Sequence, residues 1–154
     1  MAGVIEELSL LAALYVANHM RPENRRDLEA LAGPITPELY AMNRYTAEGM
    51  GWTFQDDSPY LIAGIERERP GVGTWWLLAT PALEKHALTA ARFGRNVVNS
   101  LLTTGEYHRI QAFCLADWRG ACRMAEAIGL KREAVMRRAG IGKEDIAIFA
   151  ATRA

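Results

Sequence analysis

The chain has 154 residues, a formal net charge of zero and a hydrophobic fraction of 50%. This length and balance predict one globular domain over residues 1–154 rather than a disordered chain. A neutral chain is poorly suited to coat nucleic acid, so we do not expect nucleic acid as a partner. The first apolar run is too short to span a bilayer, which predicts a cytoplasmic protein without a membrane segment.

The two cysteines, Cys114 and Cys122, have no cluster of histidines beside them. A structural zinc site needs about four ligands, so we expect no metal site. Reduced, buried thiols are the interpretation that fits a cytosolic protein.

The first third of the chain predicts a short strand or extended lead followed by helices. Ser9 suits the cap of the first helix. Pro22 predicts a bend or a restart, after which the helical pattern continues to Gly33. The stretch "TPELYAMNRYTAEG" predicts another helix, with Thr36 as its cap.

The middle of the chain predicts three strands, "WTFQ", "PYLIAGIERER" and "TWWLLATP", and a long helix. The third strand is apolar on both faces, which is typical of a central strand, and Pro81 ends it. From about Leu83 the apolar residues recur every three or four positions, and this spacing predicts a long amphipathic helix.

The last third predicts a strand, "HRIQAFCLA", and a helix, "WRGACRMAEAI", with Asp117 as its cap. Two final strands follow, "LKREAVMRR" and "DIAIFAATR". The complete order predicts an α+β fold, with a mixed, twisted central sheet of about six to seven strands and about four helices on both faces.

This order, and above all the stretch "HRIQAFCLADWRGACRMAEAIGLKREAVMRR", resembles the GCN5-related N-acetyltransferase fold. The stretches "MRPENRR" and "PGVGTWWLLATPALEKHALTAARFGR" are more similar to acetyltransferase-like proteins of short-tailed phages, grouped with internal virion protein A. The resemblance implies transfer of an acetyl group from acetyl-CoA to an unknown amine of a protein or small molecule, in the cytoplasm of a host cell.

The resemblance also implies where acetyl-CoA would bind. In this fold the fourth strand splays from the fifth, and the backbone at its end pairs with the pantetheine arm, here at Leu77, Leu78, Ala79 and Thr80. The pyrophosphate would sit at the start of the next helix, where unpaired N–H groups and the helix dipole attract anions. The other residues implied to contact the cofactor are Lys85, His86, Ala87 and, on the late helix, Asp117.

The chain departs from the family pattern at two places. The family's glycine-rich loop reads "EKHALT" here and has no glycine to let the backbone wrap around phosphate oxygens. Ala125 stands where the family often has the Tyr that protonates the leaving thiolate.

Glu66 is the candidate general base, and Glu68, His19 and His108 are the other candidates. The residues expected on the acceptor side are Arg21, Glu23 and Trp76. Trp75 and Trp76 should leave opposite faces of their strand, because they are consecutive. A nucleophilic Cys114 is conceivable, although no histidine partner is evident.

Three functions stay open from the sequence. The first is the acetyltransferase. The second is a catalytically degenerate phage protein for assembly or host-protein binding, packaged in the virion, with a cleft that is filled, for instance by a tryptophan. The third is an unrelated binding module, in which the fourth and fifth strands would pair along their full length. The basic residues of "LKREAVMRR", with Arg119 and Arg123, could contact nucleic acid or an acidic partner, but without interleaved exposed aromatic residues a solvated face is the favoured interpretation.

Overall fold

The structure of the protein, a computed structural model, describes residues 3–154. The elements in chain order are β1 (Val4–Glu7), α1 (Leu10–Asn18), α2 (Pro22–Ala32), α3 (Pro37–Thr46), β2 (Gly49–Gln55), β3 (Pro59–Arg69), β4 (Val72–Ala79), α4 (Ala87–Thr104), β5 (Arg109–Leu115), α5 (Arg119–Ala127), β6 (Lys131–Met136) and β7 (Ile146–Thr152). A short 3₁₀ helix, Pro81–His86, links β4 to α4.

Seven strands form one mixed sheet in the order β1-β2-β3-β4-β5-β7-β6. The neighbours β4 and β5 are parallel, and the other neighbours are antiparallel. Helices α1, α2 and α3 cover one face of the sheet, while α4 and α5 cover the other. The expected α+β fold with helices on both faces is therefore confirmed.

The described residues form five α-helices rather than about four, because the chain restarts between α1 and α2. Helix α1 ends at Asn18, and α2 begins at Pro22, whose missing N–H is harmless in a first turn. The Ser9 cap is confirmed, since its side chain accepts a hydrogen bond from the N–H of Ala12 at 3.1 Å. In residues 3–154 no helix combines the length and apolarity that a membrane span needs.

The core lies on both faces of the two central strands. Alternate residues of β3 and β4 enter a large apolar cluster under α4 and α5, and the residues between them pack under α1 and α3. Trp75 belongs to the first set and Trp76 to the second, so the prediction that they leave opposite faces is confirmed.

Two local predictions are wrong. The long helix begins at Ala87 rather than Leu83, because the chain first makes 3₁₀ bonds such as the one from the Leu83 N–H to the Thr80 carbonyl, 3.1 Å long. Asp117 does not cap α5, since Trp118 occupies the cap position. The Asp117 carboxylate is instead held by Arg26 of α2, at 2.7 and 3.0 Å.

The contact between α4 and the core is tight at Gly94. A Cβ atom at this position would lie 2.6 Å from Ile128 Cγ2 and 3.3 Å from the Trp75 ring. We expect Gly94→Leu to lower the free energy of unfolding by about 1–3 kcal/mol, because the packed core cannot accept the added volume. Urea denaturation measures this effect, and Ala87→Leu, at an exposed position of the same helix, should change stability by less than about 0.5 kcal/mol. Equal losses in the two variants would contradict the prediction.

Candidate functional site

Strands β4 and β5 separate soon after they begin. They pair through Val72, Gly73 and Thr74 of β4, and the last of these pairs is closed by a 3.2 Å hydrogen bond from Gln111 to Thr74. Beyond this point the pairing stops, and the rest of each strand borders a wedge-shaped gap. The predicted splay is therefore confirmed, and full pairing, as expected of the unrelated binding module, is excluded.

Helix α2 occupies the free edge of β4 at this wedge. The Asn24 side chain donates to the Leu77 carbonyl and accepts from the Ala79 N–H, both at 3.3 Å. The backbone N–H of Arg21 donates to the Ala79 carbonyl at 2.9 Å. Asn24 is 2% exposed, so its amide is a buried and satisfied part of the fold.

The same helix also contacts β5. Asp27 lies one turn after Asn24, and its carboxylate accepts a 2.8 Å hydrogen bond from the Leu115 N–H. Burial raises the pKa of Asp27 to about 6, although the Leu115 N–H and the nearby Arg26 and Arg21 act in the opposite direction. Asn24 and Asp27 thus bridge the two strands from one helix face.

Asn24 and Asp27 bridge the wedge, and Trp75 and Trp76 lie outside it. Trp75 packs in the core beside Gly94 of α4. Trp76 lies under the Arg44 guanidinium, whose carbon is 5.2 Å from the ring centroid. Neither Trp75 nor Trp76 fills the wedge, because both rings pack on the faces of the sheet, whereas Trp118 lies beside the wedge under the Arg21 guanidinium.

The residues predicted for the acceptor side do not meet at one place. Arg21 lies at the wedge, where its Nε donates to Asn24 at 2.8 Å and its guanidinium stacks over Trp118. Desolvation lowers the pKa of Arg21. Glu23 is exposed in the first turn of α2, while Trp76 lies with Arg44 under α3.

The stretch "EKHALT", predicted to lie by the pyrophosphate, forms the end of the 3₁₀ helix and the first turn of α4. The Thr80 side chain caps the 3₁₀ helix by accepting from the Ala82 N–H at 3.3 Å. His86 turns away to Asp56, with 3.2 Å between Nε2 and the carboxylate, and its ring stacks on Tyr60. Lys85 and Ala87 are exposed, and Leu78 and Ala79 are fully buried.

Glu66 is bonded to Arg44 at 2.9 Å, and Arg44 stacks on Tyr40 as well as on Trp76. In the sheet Glu66 lies opposite Thr74, near the start of β4. Ala79 lies five positions after Thr74, which corresponds to about 16 Å along a strand. The structure therefore does not bring Glu66 to the end of β4, and its role as a base stays a prediction.

The residues predicted on β5 and α5 are placed as follows. Asp117 and its partner Arg26 are both exposed, and they border a cavity of about 410 Å³ together with Lys143 and Glu144. Cys114 and Cys122 are buried free thiols, as expected, with 3.9 Å between their sulfurs. Burial strongly raises the pKa of Cys114, which opposes a nucleophilic thiolate.

Sequence reasoning missed Asn24, Asp27 and Arg44. A signal for the first two was present, because Asn24, Asp27 and Ala30 recur every three residues on the buried face of α2. A helix whose inward face is polar must find polar partners, and the free strand edges provide them. Arg44 gave no comparable signal, since Glu66 and Trp76 are distant from it in sequence.

No family model and no curated protein matches the chain. Solved structures do match. An acetyltransferase of the GNAT family from Streptococcus pneumoniae matches with a TM-score of 0.70 and 16% identity, over 99% of this chain and 100% of that chain. The ribosomal-protein-S18-alanine N-acetyltransferase from Escherichia coli matches with a TM-score of 0.69 and 17% identity, over 98% of this chain and 94% of that chain.

The ribosomal L7/L12 alpha-N-protein acetyltransferase RimL, solved in complex with coenzyme A, matches with a TM-score of 0.75 and 9% identity, over 99% of this chain and 94% of that chain. These matches do not support the resemblance to the phage internal virion protein A. Identities this low show the fold alone: the chain has the fold of the GNAT acetyltransferases.

Proposed function

We propose that this protein uses the GNAT fold as a binding scaffold and does not transfer acetyl groups. The observation that carries the proposal is the occupation of the β4 edge by α2. Asn24 and the backbone of Arg21 form hydrogen bonds with the backbone polar groups of Leu77 and Ala79. The family resemblance assigns this same edge to the pantetheine arm, so the arm would have no free strand edge to pair with.

The segment after β4 supports the proposal. It contains no glycine, and its 3₁₀ bonds leave no open loop around a pyrophosphate. Glu84 adds a negative charge in the 3₁₀ helix, three residues before α4 begins, close to the helix end that would attract an anion. These residues do not fit acetyl-CoA in the family's mode of binding.

The position of the family's general acid gives further support. Ala125 is buried on the inner face of α5, where its methyl group packs in the core. A methyl group cannot donate a proton to a leaving thiolate. The protein thus lacks, at this position, the group that would complete the transfer.

An N-acetyltransferase acting on an amine of a protein or small molecule is the second candidate. The splay of β4 from β5 favours it, because fully paired strands would leave no room for a cofactor arm. In this case α2 must leave the β4 edge when acetyl-CoA binds.

The phage resemblance gives the scaffold proposal a concrete form, a virion or assembly protein, or one that binds a host protein. It rests on the quoted stretches alone. Mass spectrometry of purified particles tests it, since a packaged protein is found at a fixed copy number.

Isothermal titration calorimetry with acetyl-CoA separates the two candidates. We expect no heat of binding at high micromolar cofactor, because the β4 edge is already hydrogen-bonded. Asn24→Ala removes the amide and should lower the free energy of unfolding by about 1–3 kcal/mol, since it leaves two buried backbone groups unpaired. Asn99→Ala, at an exposed position of α4, is the matched control.

Binding of acetyl-CoA by the unchanged protein, followed by acetylation of an amine, would overturn the scaffold proposal. If the folded Asn24→Ala protein binds acetyl-CoA and the unchanged protein does not, the Asn24 amide is what prevents binding. If neither protein shows a heat of binding, the segment without glycine is what prevents acetyl-CoA from binding.

The buried carboxyl of Asp27 predicts an unusual dependence of stability on pH. Its pKa rises from 3.8 to about 6 in the folded protein, so between about pH 4 and pH 6 the folded state binds more protons than the unfolded state. The contribution of Asp27 to the free energy of unfolding therefore falls as the pH rises through this window, by on the order of 3 kcal/mol, and is constant above it.

Asp27→Asn should remove this contribution and be more stable than the unchanged protein at pH 7, because no charge is then buried. Urea denaturation at several pH values between about 4 and 8 measures the free energy of unfolding of both proteins. In the difference between them, the contributions of all other carboxylates cancel. Asp57→Asn, at an exposed position, is the control. If the difference in stability between the unchanged protein and Asp27→Asn does not vary with pH, burial does not raise the pKa of Asp27 and the prediction is wrong.

A further inference from the structure

The two edges of the sheet carry opposite charges. Among residues 3–154, β1 is the terminal strand on one side and β6 is the terminal strand on the other. β1 reads "VIEE", and its Glu6 and Glu7 are exposed. β6 reads "KREAVM" and is followed directly by Arg137 and Arg138.

Glu133, the acidic residue of β6, does not neutralise the positive charges of this strand. Glu133 is already bonded to Arg109 of β5 at 2.7 Å. Lys131, Arg132 and Arg137 are exposed, and five of the six residues of β6 are exposed, so neither face of this strand is deeply covered. β6 therefore presents a basic edge with accessible backbone groups.

Opposite charges on the two edges favour one kind of pairing. Two β6 edges, or two β1 edges, would bring like charges together, which is destabilising across strands. A β1 edge beside a β6 edge brings Glu6 and Glu7 near Lys131 and Arg132. Charged edge strands often protect a sheet from association. When the two edges carry opposite charges, they prevent β1 from pairing with β1 and β6 with β6, but not β1 with β6.

The strand directions allow this pairing without a change in the sheet. Counting through the neighbours, β1 and β6 run antiparallel to each other within one protein. A second copy placed beside the first in the same orientation thus offers its β1 antiparallel to β6. The arrangement is heterologous, so it forms a ring if the rotation closes and an open chain if it does not.

We propose that the protein associates head to tail, with the β1 edge of one copy added to the β6 edge of the next. This goes beyond the proposed function, because it names a second copy of the chain as the partner. β1 has only four residues, so the contact is smaller than the about 800 Å² per partner of a standard interface. Association is therefore weak, depends on concentration and is strongest at low salt.

The test is sedimentation velocity of the purified protein over a range of concentrations, at about 20 mM and about 500 mM salt. Two charge reversals are compared with it. Glu6→Lys/Glu7→Lys makes the β1 edge basic, and Lys131→Glu/Arg137→Glu makes the β6 edge acidic. Arg132 is left unchanged because it contacts Phe149 and Cys122. Arg69→Glu, on β3, is the control, because β4, β5 and β7 lie between it and β6.

We expect association of the unchanged protein and of the control at low salt, and its weakening by at least about tenfold at high salt. Each reversed protein alone should be monomeric, because both of its edges then carry the same sign. An equimolar mixture of the two reversed proteins should associate again, since each basic edge then meets an acidic one. Circular dichroism establishes that each variant is folded, and if one is not, the other reversal alone still tests the pairing.

A protein that stays monomeric at every concentration in low salt would overturn the proposal. So would association that both reversals leave unchanged, which would place the contact elsewhere. Reversed proteins that lose association and do not regain it on mixing would also reject it, because the edges would then not be pairing with each other.

Discussion

The hydrogen bonds between α2 and the open edges of β4 and β5 are the constraint on which the wedge depends. Two strands that separate inside a sheet leave backbone N–H and C=O groups without partners, and buried groups of this kind must be satisfied. Here the partners come from the chain itself: the Asn24 amide on β4 and the Asp27 carboxylate on β5. Part of the two open strand edges is therefore satisfied from within the chain.

The two side chains have different energetic consequences. An amide carries a donor and an acceptor on adjacent atoms, so Asn24 satisfies a carbonyl and an N–H on the same strand and remains neutral. Asp27 satisfies an N–H of β5 but must keep a charge in a desolvated place, which raises its pKa. Asn24 thus supplies the stable part of the contact, and Asp27 makes it sensitive to pH.

The sequence predicted the strands and helices well, because hydrophobic periodicity and turn residues are local signals. The wedge was located correctly by the family resemblance, which assigned it to the apolar strand before Pro81. The residues that bridge the wedge were not predicted, because the contacts join residues more than fifty positions apart, such as Asn24 and Leu77. For the same reason Asp117 was taken for a helix cap, although the distant Arg26 holds its carboxylate.

The fold and the acetyltransferase chemistry depend on different residues, so the fold itself does not require the chemistry. The sheet is held by the apolar clusters on its two faces, and these need neither a glycine-rich loop nor a phenol on α5. Ala125 even contributes to the core from the position where the family often has its acid. On the scaffold proposal, α2 supplies partners to Leu77, Ala79 and Leu115 that a cofactor would otherwise meet, so the surface of the fold is free to acquire other uses.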